Sequence, residues 1–154
     1  GKTTLAKKLA DVTGFKYINI LDFAKENNLI LYYDEVYDTN IVDEDKLIDL
    51  LVKFIRENKG DYIIEGNFAH LLPKDVVNLY VVVRADPNIL YNRLRNRGYP
   101  DHKIFENIWA MNLEVIEDEL ESGGKNYMVV YMNNEEDLDK NLEKVVKFLK
   151  NIRK

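Results

Sequence analysis

One continuously apolar run, Leu79-Tyr80-Val81-Val82-Val83, constrains the fold more than any other segment of the chain. A strand of this kind has no polar face for solvent, so it needs packing partners on both sides, as strands of parallel sheets have. Asp86-Pro87 follows and predicts a helix start, with an N-cap residue and a proline at the first helical position. A doubly covered strand followed at once by a helix indicates an α/β protein with a parallel sheet and right-handed crossovers.

The same alternation of short strands and amphipathic helices runs along the whole chain. Predicted strands lie at 16–20, 62–64, 79–83 and 127–132, and predicted helices at 3–13, 21–28, 43–58, 86–98, 101–122 and 138–149. The segment 32–40 is acidic and aromatic without a clean period, so we predict a structured loop there. With 46% hydrophobic residues among 154, the chain is expected to form a single domain, 1–154, with a sizeable core.

Composition excludes several classes of site. The chain has no cysteine, which rules out disulfides and iron–sulfur clusters, and its two histidines, His70 and His102, lack zinc-site spacing. No apolar run approaches the roughly 20 residues that span a bilayer, so no membrane binding is expected. The formal net charge of −5 argues against strong direct binding of nucleic acid. We expect a soluble protein of the cytoplasm, or of the nucleus in a eukaryote.

The first four residues, Gly1-Lys2-Thr3-Thr4, match the second half of the phosphate-binding motif G-x-x-x-x-G-K-[ST]. In that motif, backbone N–H groups cradle phosphates, the lysine reaches the β- and γ-phosphates, and the first hydroxyl ligates Mg²⁺. This assigns Gly1 and Lys2 to phosphate, Thr3 to Mg²⁺ and Thr4 to an inner phosphate oxygen. The pattern predicts a site for ATP and Mg²⁺, and the alternative is an ordinary helix start.

Three further features could complete such a site. Glu65 follows a buried strand, where a Walker-B-type acid would hold the Mg²⁺ shell, although it could instead cap a neighbouring helix. Arg93 and Arg97 lie one helical turn apart and could stack on a base and clamp phosphate, or could be solvated charges. The acidic run 34–45 is either a solvated face or, because aromatic residues interrupt it, a surface that binds a partner.

Several longer motifs make a family resemblance specific. The chain resembles the archaeal and eukaryotic adenylate-kinase-like ATPases that act in small ribosomal subunit maturation, from Gly1 to about the last helix. Ordinary adenylate kinases lack the acidic Tyr-Asp-Glu segment. The motifs that carry the resemblance are Lys16-Tyr17-Ile18-Asn19, Tyr33-Asp34-Glu35-Val36-Tyr37-Asp38, Asp43-Glu44-Asp45, Asn88-Ile89-Leu90-Tyr91-Asn92-Arg93-Leu94 and Arg97-Gly98-Tyr99.

The resemblance implies a nucleoside monophosphate kinase fold, a five-stranded parallel sheet flanked by helices. It places the monophosphate-binding segment at about 19–42 and the lid at about 96–106. The first strand of that fold lies between the third and fourth strands and precedes the phosphate-binding loop. We therefore expect the natural protein to carry about a dozen further N-terminal residues, a strand and a glycine-rich turn.

The resemblance also implies activity and residue roles. It suggests the reaction of ATP with AMP to give two ADP, together with ATPase activity, with Lys2, Glu65 and Arg97 as the catalytic residues. Arg97 would be the lid arginine on the ATP phosphates. The acceptor monophosphate would be placed by Asn19, Asp22 and Lys25.

Several positions depart from the family pattern. Asn67 stands where the family has a histidine linked to ATP hydrolysis, and an amide cannot transfer protons near neutral pH. His70, three residues on, could replace that histidine only if the loop bends suitably. Leu21-Asp22 and Lys25 replace a Gly-Asp and an arginine, and a lysine binds phosphate as a point charge rather than in a bidentate manner. These changes bear on rate and AMP affinity rather than on the fold.

These observations support a nucleoside monophosphate kinase with ATPase activity, and the resemblance implies a basic ribosomal protein of the small subunit as partner. A competing hypothesis is an ATP-gated chaperone for such a partner with little kinase turnover, which Asn67 and Lys25 favour. A third hypothesis, another P-loop kinase of small molecules, would require a substrate pocket other than the acidic segment.

Overall fold

The computed structural model describes residues 2–36, 39–84, 86–102 and 113–152. Helices and strands alternate along most of the chain, which confirms the predicted α/β class. The helices are α1 (Lys2–Thr13), α2 (Ile20–Glu26), α3 (Glu44–Glu57), α4 (Pro87–Asn96), α5 (Leu113–Ser122) and α6 (Glu136–Ile152). The strands are β1 (Lys16–Asn19), β2 (Ile30–Asp34), β3 (Thr39–Val42), β4 (Tyr62–Glu65), β5 (Tyr80–Arg84) and β6 (Tyr127–Tyr131), and a 3₁₀ turn covers Ala69–Leu71.

All four predicted strands are present, and they pair in parallel. β1 pairs with β4, from Lys16 opposite Tyr62 to Asn19 opposite Glu65. β5 pairs with β6 along its whole length. In the part of the chain that the structure describes, the four strands form two separate two-stranded sheets and not one continuous sheet, because β4 and β5 are not paired. The break falls where the family resemblance places the first strand of the fold.

The apolar run of β5 is packed on both faces, as its composition predicts. Alternate side chains of a strand point to opposite sides, so Tyr80 and Val82 face one way and Val81 and Val83 the other. The first pair packs with Leu120 of α5. The second pair packs against a cluster from α1, β6 and α6, formed by Leu5, Leu9, Val130 and Val145.

A second core lies beside the β1–β4 pair. It joins α2, the base of the β2–β3 hairpin, α3 and the residue after the 3₁₀ turn, through Ile20, Ala24, Leu29, Val42, Leu47, Leu51 and Leu72. The Asp43 side chain caps α3, accepting a hydrogen bond of 3.3 Å from the Lys46 N–H, as the sequence predicts. This core fixes the start of α2 against the ends of β1 and β4.

The prediction of a loop at 32–40 is wrong. β2 and β3 form an antiparallel hairpin in this region. The register shifts between Ile30 and Tyr32, so Leu31 is an extra residue in β2 and interrupts the alternation that identifies strands. Most of β2 is also exposed, so its side chains show no division into apolar and polar faces.

Some predictions fall outside the described residues. Of the lid at 96–106 the structure describes 96–102, and of the long helix predicted at 101–122 it describes 101–102 and α5. Among the helices that are described, none has both the length and the apolar character needed to cross a membrane. The single-domain organisation stays a prediction.

Candidate functional site

Glu65, the last residue of β4, is the centre of a polar cluster. The hydroxyl of Thr3 donates a hydrogen bond of 3.1 Å to its Oε1. The Tyr17 hydroxyl and the Asn19 amide each donate a hydrogen bond of 2.8 Å to Oε2. The structure thus joins the first turn of α1 to the ends of β1 and β4 through one carboxylate.

Strand register explains why these side chains meet. Asn19 lies directly opposite Glu65 in the parallel pair, and Tyr17 lies two residues earlier, on the same face of β1. Asn19 also caps α2, because its Oδ1 accepts a hydrogen bond of 3.0 Å from the Asp22 N–H. One amide therefore starts a helix with its oxygen and holds Glu65 with its nitrogen.

The three donors that the described side chains provide to the half-buried Glu65 carboxylate are all uncharged. Thr3 lies in the first turn of α1, where the helix dipole also favours a negative charge. Burial raises the pKa of Tyr17, and the hydrogen bond to Glu65 adds to this effect. Tyr17 therefore keeps its proton at neutral pH and remains a donor.

A cavity of about 170 Å³ lies beside Glu65, between β4, α2 and the hairpin. Asn19, Glu65 and Asn67 provide polar groups at its wall, and the other lining residues are mainly apolar. A larger groove of about 720 Å³ runs along α3, but none of its lining residues belongs to the Glu65 cluster. We take the smaller cavity as the candidate site because it adjoins the polar cluster.

The donor set near Glu65 is compatible with Mg²⁺. Mg²⁺ prefers oxygen ligands, retains several waters and is often held by one or two protein groups together with substrate phosphates. The Thr3 hydroxyl and the Glu65 carboxylate supply oxygen ligands of this kind. Hydrogen bonds from described side chains occupy three of the roughly four acceptor positions of Glu65. No group of three or more acidic or histidine side chains suited to a metal occurs within the described ranges.

The other residues predicted on the phosphate and acceptor sides are located as follows. Gly1 lies outside the described residues, and of Lys2 only the backbone is described, as the first residue of α1. Thr4 is exposed in the same turn. Asp22 and Lys25 are exposed on α2, and the charge of Asp22 contributes to the raised pKa of Tyr17.

The predicted arginines are not part of the Glu65 cluster in this structure. Arg93 donates a hydrogen bond of 2.9 Å to the backbone carbonyl of Asn133, in the loop that follows β6. The Asn133 side chain in turn accepts a hydrogen bond of 2.7 Å from the Asp86 N–H, just before α4. Arg97 is exposed and forms the C-cap of α4. A role of Arg93 and Arg97 on phosphate stays a prediction.

His70 contacts α5 and does not line the cavity beside Glu65. Its Nε2 lies 3.4 Å from Oε2 of Glu119, and its backbone carbonyl accepts a hydrogen bond of 2.9 Å from Lys125. Arg84, at the end of β5, donates a hydrogen bond of 2.7 Å to Glu117 of the same helix. Both side chains therefore hold α5 in place.

Sequence reasoning missed two residues of the site. Tyr17 was part of a recognised motif, but its role required the parallel register that brings it diagonally across from Glu65. Gly66 lines the cavity, and a Cβ atom at this position would lie 2.8 Å from Cβ of Ile20. In the sequence, the presence of a glycine directly after Glu65 is the one feature that indicates this close approach.

Comparisons with known proteins give a consistent picture. A family model described as AAA domain matches residues 1–119. The adenylate kinase isoenzyme 6 homolog FAP7 of Saccharomyces cerevisiae is 38% identical over 144 residues, covering 92% of this chain and 71% of that protein. The adenylate kinase isoenzyme 6 homolog of Schizosaccharomyces pombe is 35% identical over 156 residues, covering 100% and 88%. The homolog of Caenorhabditis elegans is 32% identical over 147 residues, covering 94% and 81%.

Proposed function

The chain belongs to the adenylate kinase isoenzyme 6 family of P-loop proteins, and from that premise we propose that it transfers the γ-phosphoryl group of ATP to AMP. The bond between the γ-phosphorus and the β,γ-bridging oxygen breaks, and a bond to an AMP phosphate oxygen forms, which gives two ADP. Transfer to water instead of AMP gives ATPase activity. The observation that carries the proposal is the hydrogen bond from Thr3, in the P-loop helix, to Glu65 at the end of β4.

The chain's own residues would act by position and charge. Phosphoryl transfer needs little covalent chemistry from the protein, so rate comes from alignment and from neutralising charge on the phosphates. Bound Mg²⁺ would supply part of that charge next to Thr3 and Glu65. Lys2 and Arg97 would contact the ATP phosphates, and Tyr17 and Asn19 keep the Glu65 carboxylate oriented.

The cavity beside Glu65 would form part of the acceptor site for a nucleoside monophosphate, since its volume of about 170 Å³ accommodates only a portion of such a molecule. Asn19 and Asn67 offer hydrogen-bonding groups, and apolar neighbours such as Leu21 and Phe68 offer a surface for a base. Asp22 and Lys25 lie on α2, the helix whose first residues line the cavity, and Lys25 would bind the acceptor phosphate as a point charge.

A second candidate function is an ATP-gated assembly factor with little kinase turnover. Asn67 favours it, because the position offers no imidazole and His70 contacts Glu119 instead. In either case we propose a basic protein of the small ribosomal subunit as partner, on the strength of the family resemblance, and a cytoplasmic location, or a nuclear one in a eukaryote.

The test supplies the protein with Mg²⁺ and γ-labelled ATP, with and without AMP, and follows the label. Label in newly formed ADP that depends on AMP is the expected result. Release of label only as inorganic phosphate would mean that the protein is an ATPase and not a kinase. Retention of all label in ATP would favour the assembly factor.

A matched pair of variants connects this result to the site. Thr3→Val keeps the shape of an exposed side chain but removes the hydroxyl that contacts Glu65, so we expect at least about a tenfold lower rate of label transfer. Tyr131→Phe removes a hydroxyl from an exposed residue elsewhere and should leave the rate unchanged. Equal rates for Thr3→Val and the unmodified protein would mean that the Thr3 hydroxyl takes no part in the reaction.

A further inference from the structure

The cavity beside Glu65 suits a neutral ring better than a phosphate group. Of the described residues that line it, Glu65 is the only charged one, so a phosphate inside the cavity would meet a carboxylate and no cation. Leu21 and Phe68 supply apolar surface at its wall. An apolar cavity of about 150 Å³ holds benzene, so this cavity of about 170 Å³ has room for the ring system of a base.

Three amides line the cavity, and they differ in what else they bind. The Asn19 amide is already committed, because its nitrogen donates to Glu65 and its oxygen accepts from the N–H of Asp22. Asn67 lies in the loop after β4, on the same wall as Glu65. Asn40 lies on β3, on the wall that the hairpin forms. No hydrogen bond joins the Asn40 side chain to another residue in the part of the chain described.

The alternation of side chains along β3 indicates the direction of the Asn40 amide. Val42 is buried and lines the cavity, and Asn40 precedes it by two residues on the same face of the strand. The extra residue of the hairpin lies in β2, so β3 keeps its regular alternation. Asn40 is also half-buried, and a polar group withdrawn from water gains free energy from a ligand that pairs with it. Asn40 therefore presents a free donor and a free acceptor to the cavity.

The edge of a purine base matches such an amide. The amide carries its donor and its acceptor side by side, and they can pair with a ring nitrogen of adenine and with the amino group next to it. Turned over, the same amide can pair with O6 and the N1 hydrogen of guanine. A pair of hydrogen bonds of this kind changes the preference between bases by roughly five- to a hundredfold.

We propose that Asn40 is a specificity-determining residue, whose amide hydrogen-bonds the edge of the purine base in the acceptor monophosphate. The phosphate would lie outside the cavity, where Lys25 and bound Mg²⁺ are proposed. A carboxylate at position 40 would offer acceptors alone. It would suit guanine, whose N1 and N2 carry adjacent hydrogens, and it would face a lone pair at N1 of adenine. The inference deepens the acceptor site of the proposed function and rests on it.

The test compares the affinities for AMP and GMP by isothermal titration calorimetry, with β,γ-imido-ATP and Mg²⁺ present to fill the ATP site. We expect Asn40→Asp to raise the ratio of GMP affinity to AMP affinity by at least about tenfold, because the variant exchanges a donor for an acceptor at the base edge. The added negative charge weakens the binding of both nucleotides alike and cancels in the ratio. Asn40→Leu removes both groups and should weaken the binding of the preferred nucleotide roughly tenfold.

Asn126→Asp is the matched control. Asn126 is exposed just before β6 and does not line the cavity, so this variant adds the same charge and should leave the ratio of the two affinities unchanged. An unchanged ratio in Asn40→Asp would overturn the proposal. So would an equal change of the ratio in Asn126→Asp, or a failure of the unmodified protein to bind either nucleotide.

The outcome separates from that of the proposed function, because binding is measured without phosphoryl transfer. Each preparation is also assayed for label transfer from γ-labelled ATP to AMP, and its fold is checked by circular dichroism. The expected change of ratio in a protein that transfers no label would contradict only the kinase. Label transfer to AMP together with an unchanged ratio would contradict only the role of Asn40.

Discussion

Gly66 is the residue at the candidate site with the least room for a side chain. A Cβ atom here would lie 2.8 Å from Cβ of Ile20, which is 1% exposed and begins α2. The Gly66 φ of 156° is also one that residues with side chains rarely adopt. This close approach places the start of α2 directly against the end of β4, and so places Asn19 beside Glu65.

Gly66→Ala is therefore expected to lower the free energy of unfolding by about 2–3 kcal/mol, because neither backbone nor Ile20 can move easily. Chemical denaturation measures this change. Gly14→Ala is the matched control: Gly14 has a φ of 74° but no atom within 4 Å of an added Cβ, so it should cost only about 1 kcal/mol. Equal losses for the two variants would mean that φ alone, and not the contact with Ile20, decides the effect.

At single residues, the sequence identified the types of side chain better than their contacts. Thr3, Asn19 and Glu65 were all predicted at the site, and the structure brings them together. Tyr17 was missed because its hydrogen bond to Glu65 depends on how two strands separated by 42 residues align. Helical spacing correctly placed Arg93 on α4, but the tertiary contact with Asn133 could not be read from spacing.

Among the elements, the short 3₁₀ turn Ala69–Leu71 is held against the rest of the molecule by its histidine. Burial lowers the pKa of His70 below its usual 6.5, and Lys125 also lowers it. The carboxylates of Glu119 and Glu44, and a hydrogen bond from the imidazole to the backbone of Asn67, raise the pKa without cancelling the effect of burial. The neutral imidazole is therefore the form that the folded protein favours.

This pKa shift makes stability depend on pH in a defined direction. Below pH 6.5 the unfolded chain binds a proton at His70 before the folded protein does, so the contribution of His70 to the free energy of unfolding is lost as pH falls from 6.5 through the folded pKa. We expect His70→Gln to flatten the fall in stability between about pH 7 and about pH 5. Urea unfolding at several pH values measures this difference.

The histidine itself can be followed directly. In a His102→Gln background, His70 is the chain's only histidine, so its ring proton resonances need no further assignment. We expect them to titrate with a midpoint below 6.5. A midpoint above 6.5 would mean that Glu119 outweighs burial, and stability would then decrease as pH rises through that value.

Helices and strands were predicted correctly where the apolar residues follow one clear period along the sequence. The apolar run of β5, the glycine after α1 and the caps Asp43 and Asp86 all gave elements close to those observed. The hairpin was missed for a physical reason: the extra residue Leu31 shifts the period, and solvent on both faces removes the contrast between inside and outside.

At the scale of the whole molecule, packing is very uneven. β5 and β6 are covered on both faces by side chains of α1, α5 and α6. Among the described residues of the β2–β3 hairpin, those packed in the core, Ile30 and Val42, lie at its base. Backbone hydrogen bonds that are covered by apolar side chains open only with much of the protein, whereas those in exposed hairpins open locally.

Hydrogen exchange of backbone amides should therefore show a hierarchy that follows these contacts. We expect the amides of 32–34 and 40–41 to exchange at least roughly a hundredfold faster than those of 81–83 and 128–130, although both groups lie in paired strands. Mass spectrometry of proteolytic fragments, or NMR, measures the ratio. Hairpin amides that are as strongly protected as those of β5 would mean that another part of the protein covers the hairpin in solution, including Tyr32 and Tyr33, which are more than half exposed in this structure.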